Sequence, residues 1–146
     1  MPVILRATSE LVAVAWLKGI VGDIVATDLP KDDASWAETG FVQAGVVGGS
    51  ASMYVPRRDP VISVDCWAVN TDSAKPPWGK ANNLAETVQA GCYASDIQRD
   101  LVLPGSFPGA RVLSAYTVSE PRRILSDPAS YARYNLSLAL HWVELP

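Results

Sequence analysis

The chain reads as one α+β domain, residues 1–146: a largely antiparallel sheet of four to five strands with helices packed on one face. Three observations predict it. Residues 131–145 alternate with a period of two, placing Tyr134, Leu136, Leu138, Leu140 and Trp142 on one side and Arg133, Asn135, Ser137, Ala139 and His141 on the other. Two separate segments, 9–18 and 80–94, carry helical signals. The order helix, strands, helix, two strands is that of an α+β layer rather than of alternating βαβ units.

The last segment is the strongest. Burying its five large apolar side chains would stabilise the fold by roughly 1.5–3 kcal/mol each. Spacings of three repeatedly land on the polar set, which argues against a helix. Residues 131–145 are therefore expected to form a central strand.

From the N-terminus, Thr8 or Ser9 can cap a helix over residues 9–18, with Glu10 in its first turn and Lys18 in its last. Gly19 or Gly22 can end it. Its middle, Leu11-Val12-Ala13-Val14-Ala15-Trp16-Leu17, is apolar all round. Such a helix is either wholly buried or shared with a second partner. A short strand is expected over 24–27, then a polar loop over 31–40. Residues 41–47 follow as a strand that Gly48-Gly49 closes, then a proline-containing loop over 50–60. Residues 61–69 alternate again, with apolar groups on both faces, as in a strand that is central or covered by a partner. The stiff turn Lys75-Pro76-Pro77-Trp78 either tucks Trp78 onto the fold or presents it as an anchor. In the second helix, Ala81, Leu84, Ala85, Val88 and Cys92 form a narrow stripe suited to lying flat on a sheet, and Gly91 marks close packing. A third strand is expected over 111–120, stopped by Pro121, before a crossover at 122–130.

Composition narrows the function. Hydrophobic residues make up 49% and charged residues 18%, the balance of a packed domain and not of a disordered chain. The net charge is −3 and the only adjacent basic pairs are Arg57-Arg58 and Arg122-Arg123, so there is no basic stripe for reading nucleic acid. No apolar run reaches the ~18 residues of a membrane span, and Glu10 before a short apolar run does not read as a signal peptide.

Chemistry-bearing patterns are weak. Cys66 and Cys92 lack metal spacing and read as small buried hydrophobes. Asp32-Asp33 has no third ligand at calcium-loop spacing. Gly48-Gly49 is not followed by the Lys-Ser/Thr of a phosphate loop, and Ser106 sits in no nucleophile elbow. His141 is the only histidine and falls on the wetter side of its strand, opposite the expected direction of both cysteines. The expectation is a non-enzyme with no cofactor and no metal.

The run from Phe41 through Gly48-Gly49, with Pro60-Val61-Ile62-Ser63-Val64-Asp65-Cys66-Trp67-Ala68-Val69, resembles the tail terminator (tail completion) proteins of long-tailed phages, especially those of actinobacterial hosts. Pro77-Trp78-Gly79-Lys80-Ala81-Asn82-Asn83-Leu84-Ala85 is similar to the start of that family's sheet-packed helix, and residues 134–144 to its last strand. The resemblance implies a structural virion protein assembled in the host cytoplasm. It would form a ring with itself, most simply a hexamer, at the head-proximal end of the tail tube. It would end tube polymerisation and meet both the tail tube protein and a head-completion or stopper protein, with DNA crossing the lumen unbound and no membrane involved. Trp16, Leu17, Arg57, Arg58 and Trp78 are the candidate interface residues. The alternatives are a head-tail adaptor or stopper of the connector, and a small-molecule-binding or enzymatic α+β module.

Overall fold

A computed structural model describes residues 5–125 and 127–146. In chain order these form α1 (Ser9–Val21), β1 (Val25–Ala26), a 3-10 turn (Asp33–Ser35), β2 (Phe41–Ala51), β3 (Arg57–Val69), α2 (Trp78–Gly91), β4 (Arg99–Leu101), β5 (Ala110–Ile124) and β6 (Tyr131–Glu144). The strands make one six-stranded sheet in the order β1-β2-β3-β6-β5-β4. Every pairing is antiparallel except β1 with β2, which is parallel.

The alternation of the C-terminal segment has the expected consequence. β6 lies at the middle of the sheet between β3 and β5. Leu136, Leu138, Leu140 and Trp142 are buried, and so are Ile62, Val64, Cys66 and Ala68 on β3. Ile62 pairs with Leu138 and Val64 with Leu136, so the two apolar rows are directly opposed. Both helices cover this face: Val12, Trp16 and Leu17 of α1 and Ala85 and Val88 of α2 share one core with those rows. Thr8 caps α1 by accepting a hydrogen bond from the Leu11 N–H. The small-residue stripe of α2 lets the helix lie close to the sheet. At Gly91 an added Cβ would stand 2.5 Å from the tip of the Ile20 side chain, so a larger residue there would have to turn Ile20 aside where the two helices touch.

Four expectations require correction. The sheet has six strands, not four to five, because β4 is only three residues long and leaves no periodic trace in the sequence. Gly48-Gly49 does not close β2: the strand continues to Ala51 through a bulge between Val46 and Gly48. Gly49 has φ +102, and a Cβ there would collide with the Asp59 carbonyl oxygen, so glycine carries the ladder past a tight crossing. Residues 50–60 are accordingly not a loop but mostly hairpin, with β3 starting at Arg57 and Pro60 opposite Gly49 beside the bulge. Pro121 likewise does not end β5. It falls at a register irregularity between Ser119 and Arg122, beyond the reach of β4, where no ladder bond is lost.

Candidate assembly surface

Among the described residues, neither α1 nor α2 lies on the second face of the sheet. A small cluster of Trp36, Phe41 and Val69 covers one end, with Tyr131 and Trp67 against it. Beyond that end the face is a half-buried polar network. The Trp67 Nε1–H donates to Gln43 Oε1 at 3.1 Å. Asn135 Nδ2 donates to Ser63 Oγ and to Asp65 Oδ1, both at 2.9 Å. Arg133 grips Asp127 with two bonds, 3.0 and 3.1 Å, while its guanidinium lies 4.7 Å above the Trp67 ring. A planar fork held by a carboxylate on one side and an indole on the other has little freedom left.

Further along this face stand Ser114, His141 and Asp59. The hydroxyl of Ser114 is 3.2 Å from His141 Nδ1, and Asp59 Oδ1 is 4.0 Å from Nε2. These are the residue types of a hydrolytic triad. The geometry is not: 4.0 Å is too long for a hydrogen bond, and Asp59 is committed to Arg57, whose Nη2 donates to Oδ2 at 3.0 Å. Tyr116 packs edge-on against the imidazole. The cluster holds His141 within the sheet surface, with the Asp59 carboxylate outside hydrogen-bond reach of the ring. Among the described residues no group of three His, Cys, Asp or Glu is placed to hold a metal ion. Burial pushes the Cys66 thiol up to about 12 and also raises Cys92, so both stay protonated near neutral pH and are poor nucleophiles. Among the described residues no helix is long and apolar enough to cross a membrane.

The five expected interface residues fall into different environments. Trp16 and Leu17 are a correction: they are 1% and 0% exposed and belong to the core, so neither can touch a partner. The helix resolves its all-round apolar composition by burying Val12, Ala13, Trp16 and Leu17, which leaves Leu11, Val14 and Ala15 half-buried. Those three and Lys18 line a shallow groove with Val102, Leu103 and Pro104. Trp78 is half-buried, edge-on to Tyr134 on one side and under the Arg123 guanidinium at 4.5 Å on the other. It tucks onto the fold. Arg57 is half-buried and paired with Asp59. Arg58 is exposed and lies 5.3 Å above the Trp142 ring.

A run of three exposed apolar residues lies next to the two arginines, and sequence reasoning missed it. The turn of the β2–β3 hairpin presents Met53, Tyr54 and Val55 at 84%, 88% and 52% exposure. Within the turn, Ser52 Oγ accepts from the N–H groups of both Tyr54 and Val55. At its base Arg6, Ser52, Val55, Arg57, Arg58 and Trp142 line a groove. The signal was present in Met53-Tyr54-Val55, three large apolar residues between prolines and glycines. Treating residues 50–60 as a loop hid it. Three apolar side chains held out on a turn beside two guanidinium groups have the make-up of a protein-contact surface.

No family model matches the chain, and no curated protein does. Among solved structures, it is similar to a chain from the virion of a native gene transfer agent particle, with 19% sequence identity and a TM-score of 0.52. The match covers 93% of this chain and 90% of that one, and what the two share is the fold.

Proposed function

We propose that this protein is a structural component of a phage-like particle, and within it the tail terminator: a ring of identical subunits that caps the head-proximal end of the tail tube, stops its growth and receives the head. The observation that carries the reading is the likeness, along nearly the whole chain, to the fold of a virion subunit. The surface chemistry is in keeping with it. The polar groups of the open sheet face bond to one another, the hairpin turn holds out apolar side chains, and the chain carries a net charge of −3. A lumen lined by such a chain would let DNA pass without holding it.

Each subunit contact can be weak in isolation. A tube end offers several sites in fixed geometry, so the first subunits to bind raise the effective concentration for the rest. The isolated protein is expected to be monomeric or weakly associated, and ring-shaped on a tail. The test is an infection lacking this protein, viewed by negative-stain microscopy. Tubes of uncontrolled length beside filled, tailless heads are the expected result. Tails of normal length that fail to join heads would assign the protein to the stopper or adaptor role. Normal tailed particles without it would end the proposal.

A further inference from the structure

The sheet has two edges, and both are bare over most of their length. β1 covers only Val42 and Gln43 of β2, and β4 covers only Ala110 to Val112 of β5. Residues 45–51 and 113–124 therefore have no strand on their outer side among the described residues. The Val42 N–H points outward, donating to the Ile24 carbonyl at 2.8 Å. By the alternation of an antiparallel ladder, the N–H of Val46 points the same way, and among the described residues no strand faces it. Bare edges of this kind are normally blunted by charge, proline or a bulge. Residues 45–49, Gly-Val-Val-Gly-Gly, and 114–119, Ser-Ala-Tyr-Thr-Val-Ser, carry no charge and no proline, and a single-residue bulge is what interrupts each.

The two bare stretches are also at the same height. Gly48 pairs with Val61, Val61 with Ala139, and Ala139 with Tyr116. Gly45 leads in the same way through Ser63 and Ser137 to Ser119. Their directions are complementary as well. From β2 to β3, β6 and β5 the chain direction reverses three times, so β5 runs opposite to β2. A second copy, rotated about an axis along the strands, would thus bring its β2 alongside β5 antiparallel, and the sheet would continue unbroken.

We propose that copies of this chain join edge to edge, β2 of one against β5 of the next, so that one antiparallel sheet runs across each contact. The proposal rests on the reading that the chain forms a ring with itself, and names the surface that closes it. Such a contact is head-to-tail and generates a ring when the rotation closes. β1 and β4 sit at opposite ends of their edges and act as stops, confining the joint to residues 45–49 and 114–119. Each stretch holds a bulge, at Val46/Gly48 and at Thr117/Ser119, which keeps the ladder short and the contact modest. Val46, Val47, Tyr116 and Val118, between 38% and 64% exposed, would lose water on joining.

Hydrogen exchange of the full chain, isolated and bound to tails, tests this. The outward amides of both stretches should exchange quickly in the isolated chain and slow by about tenfold or more on assembly. Val46→Pro removes an outward N–H that the isolated fold does not use. It should leave the melting temperature nearly unchanged and abolish ring formation. Should that variant fail to fold, Val47→Lys places a charge on the same edge and should block assembly in the same way. Rings whose two edges exchange as fast as in the isolated chain would overturn the joint and leave the terminator reading standing. Slowing at one edge alone would assign that edge to a strand from another protein, again overturning it. A chain that joins neither tails nor itself would overturn both.

Discussion

β3 and β6 carry two faces of opposite character. Toward the helices, Ile62, Val64, Cys66, Leu136, Leu138 and Leu140 are all at 0% exposure, with no polar side chain among them. On the other side the same strands present Ser63, Asp65, Trp67, Arg133, Asn135 and Ser137, all half-buried and most of them bonded to one another. The first face gains its stability from removing apolar area from water and is indifferent to direction. The second gains from directional bonds that stay partly hydrated, each of small net worth. The fold should therefore depend far more on its covered face, while the open face is free to serve contacts.

Neighbouring residues of β6 give the sharpest test. Leu138→Asp puts a carboxylate in the covered face with no partner, beyond the ~2–5 kcal/mol cost of losing the leucine. It should prevent stable folding. Ser137→Asp places the same group one residue away on the open face and should leave a cooperative melt. Equal melting temperatures for the two variants would erase the distinction between the faces. Next in size is Arg133→Ala, which leaves Asp127 without its two bonds and uncovers Trp67. A loss of about 2 kcal/mol in a urea titration is expected.

The two faces were not equally legible. A period of two over residues 131–145 and 61–69 is enough to locate the covered face, because burial there depends on residue type alone. The open face depends on partners far apart in sequence. Nothing local pairs Trp67 with Gln43, or Arg133 with both Asp127 and the Trp67 ring. The candidate surface was half legible for a related reason. Arg57 and Arg58 stand out in the sequence by charge and do flank the hairpin turn. Trp16 and Leu17 stand out because α1 is apolar all round, but a sequence cannot show which side of such a helix the sheet will take. Proline and glycine misled most at the strand ends. Their effect depends on whether the missing N–H had a partner to lose, and at Gly49, Pro60 and Pro121 the ladder was already bulged, offset or bare.

Cys66 extends the comparison into pH. Its thiol is raised from 9.0 to about 12, first by burial and then by the neighbouring Asp65 carboxylate on the opposite face. Because the folded value lies above the unfolded one, the neutral thiol's contribution is complete below pH 9.0 and is lost as pH rises toward about 12. Cys66→Ala should cost about 1 kcal/mol at neutral pH through lost packing, and should make stability fall less steeply with pH in the alkaline range. A urea midpoint that falls just as steeply with pH in the variant would mean that the thiol is not sealed from water. Replacing both Cys66 and Cys92 by alanine should leave assembly intact, since neither thiol reaches the surface.

The smallest expected change in stability is on the open face at Tyr116, which is 53% exposed and touches the fold mainly through the edge of His141. Tyr116→Ser removes an aromatic ring that is already half in water, so the melting curve should move by no more than about 0.5 kcal/mol. Assembly should respond differently. A large amphipathic ring beside a bare strand edge is the kind of side chain that dominates a protein contact, where truncation commonly costs more than about 1 kcal/mol. Sedimentation of the variant with tails should show several-fold weaker association at unchanged fold stability. A variant that binds tails as well as the parent would remove Tyr116 from the contact. A variant that melts much earlier would mean that the open face, like the covered one, is needed to hold the fold together.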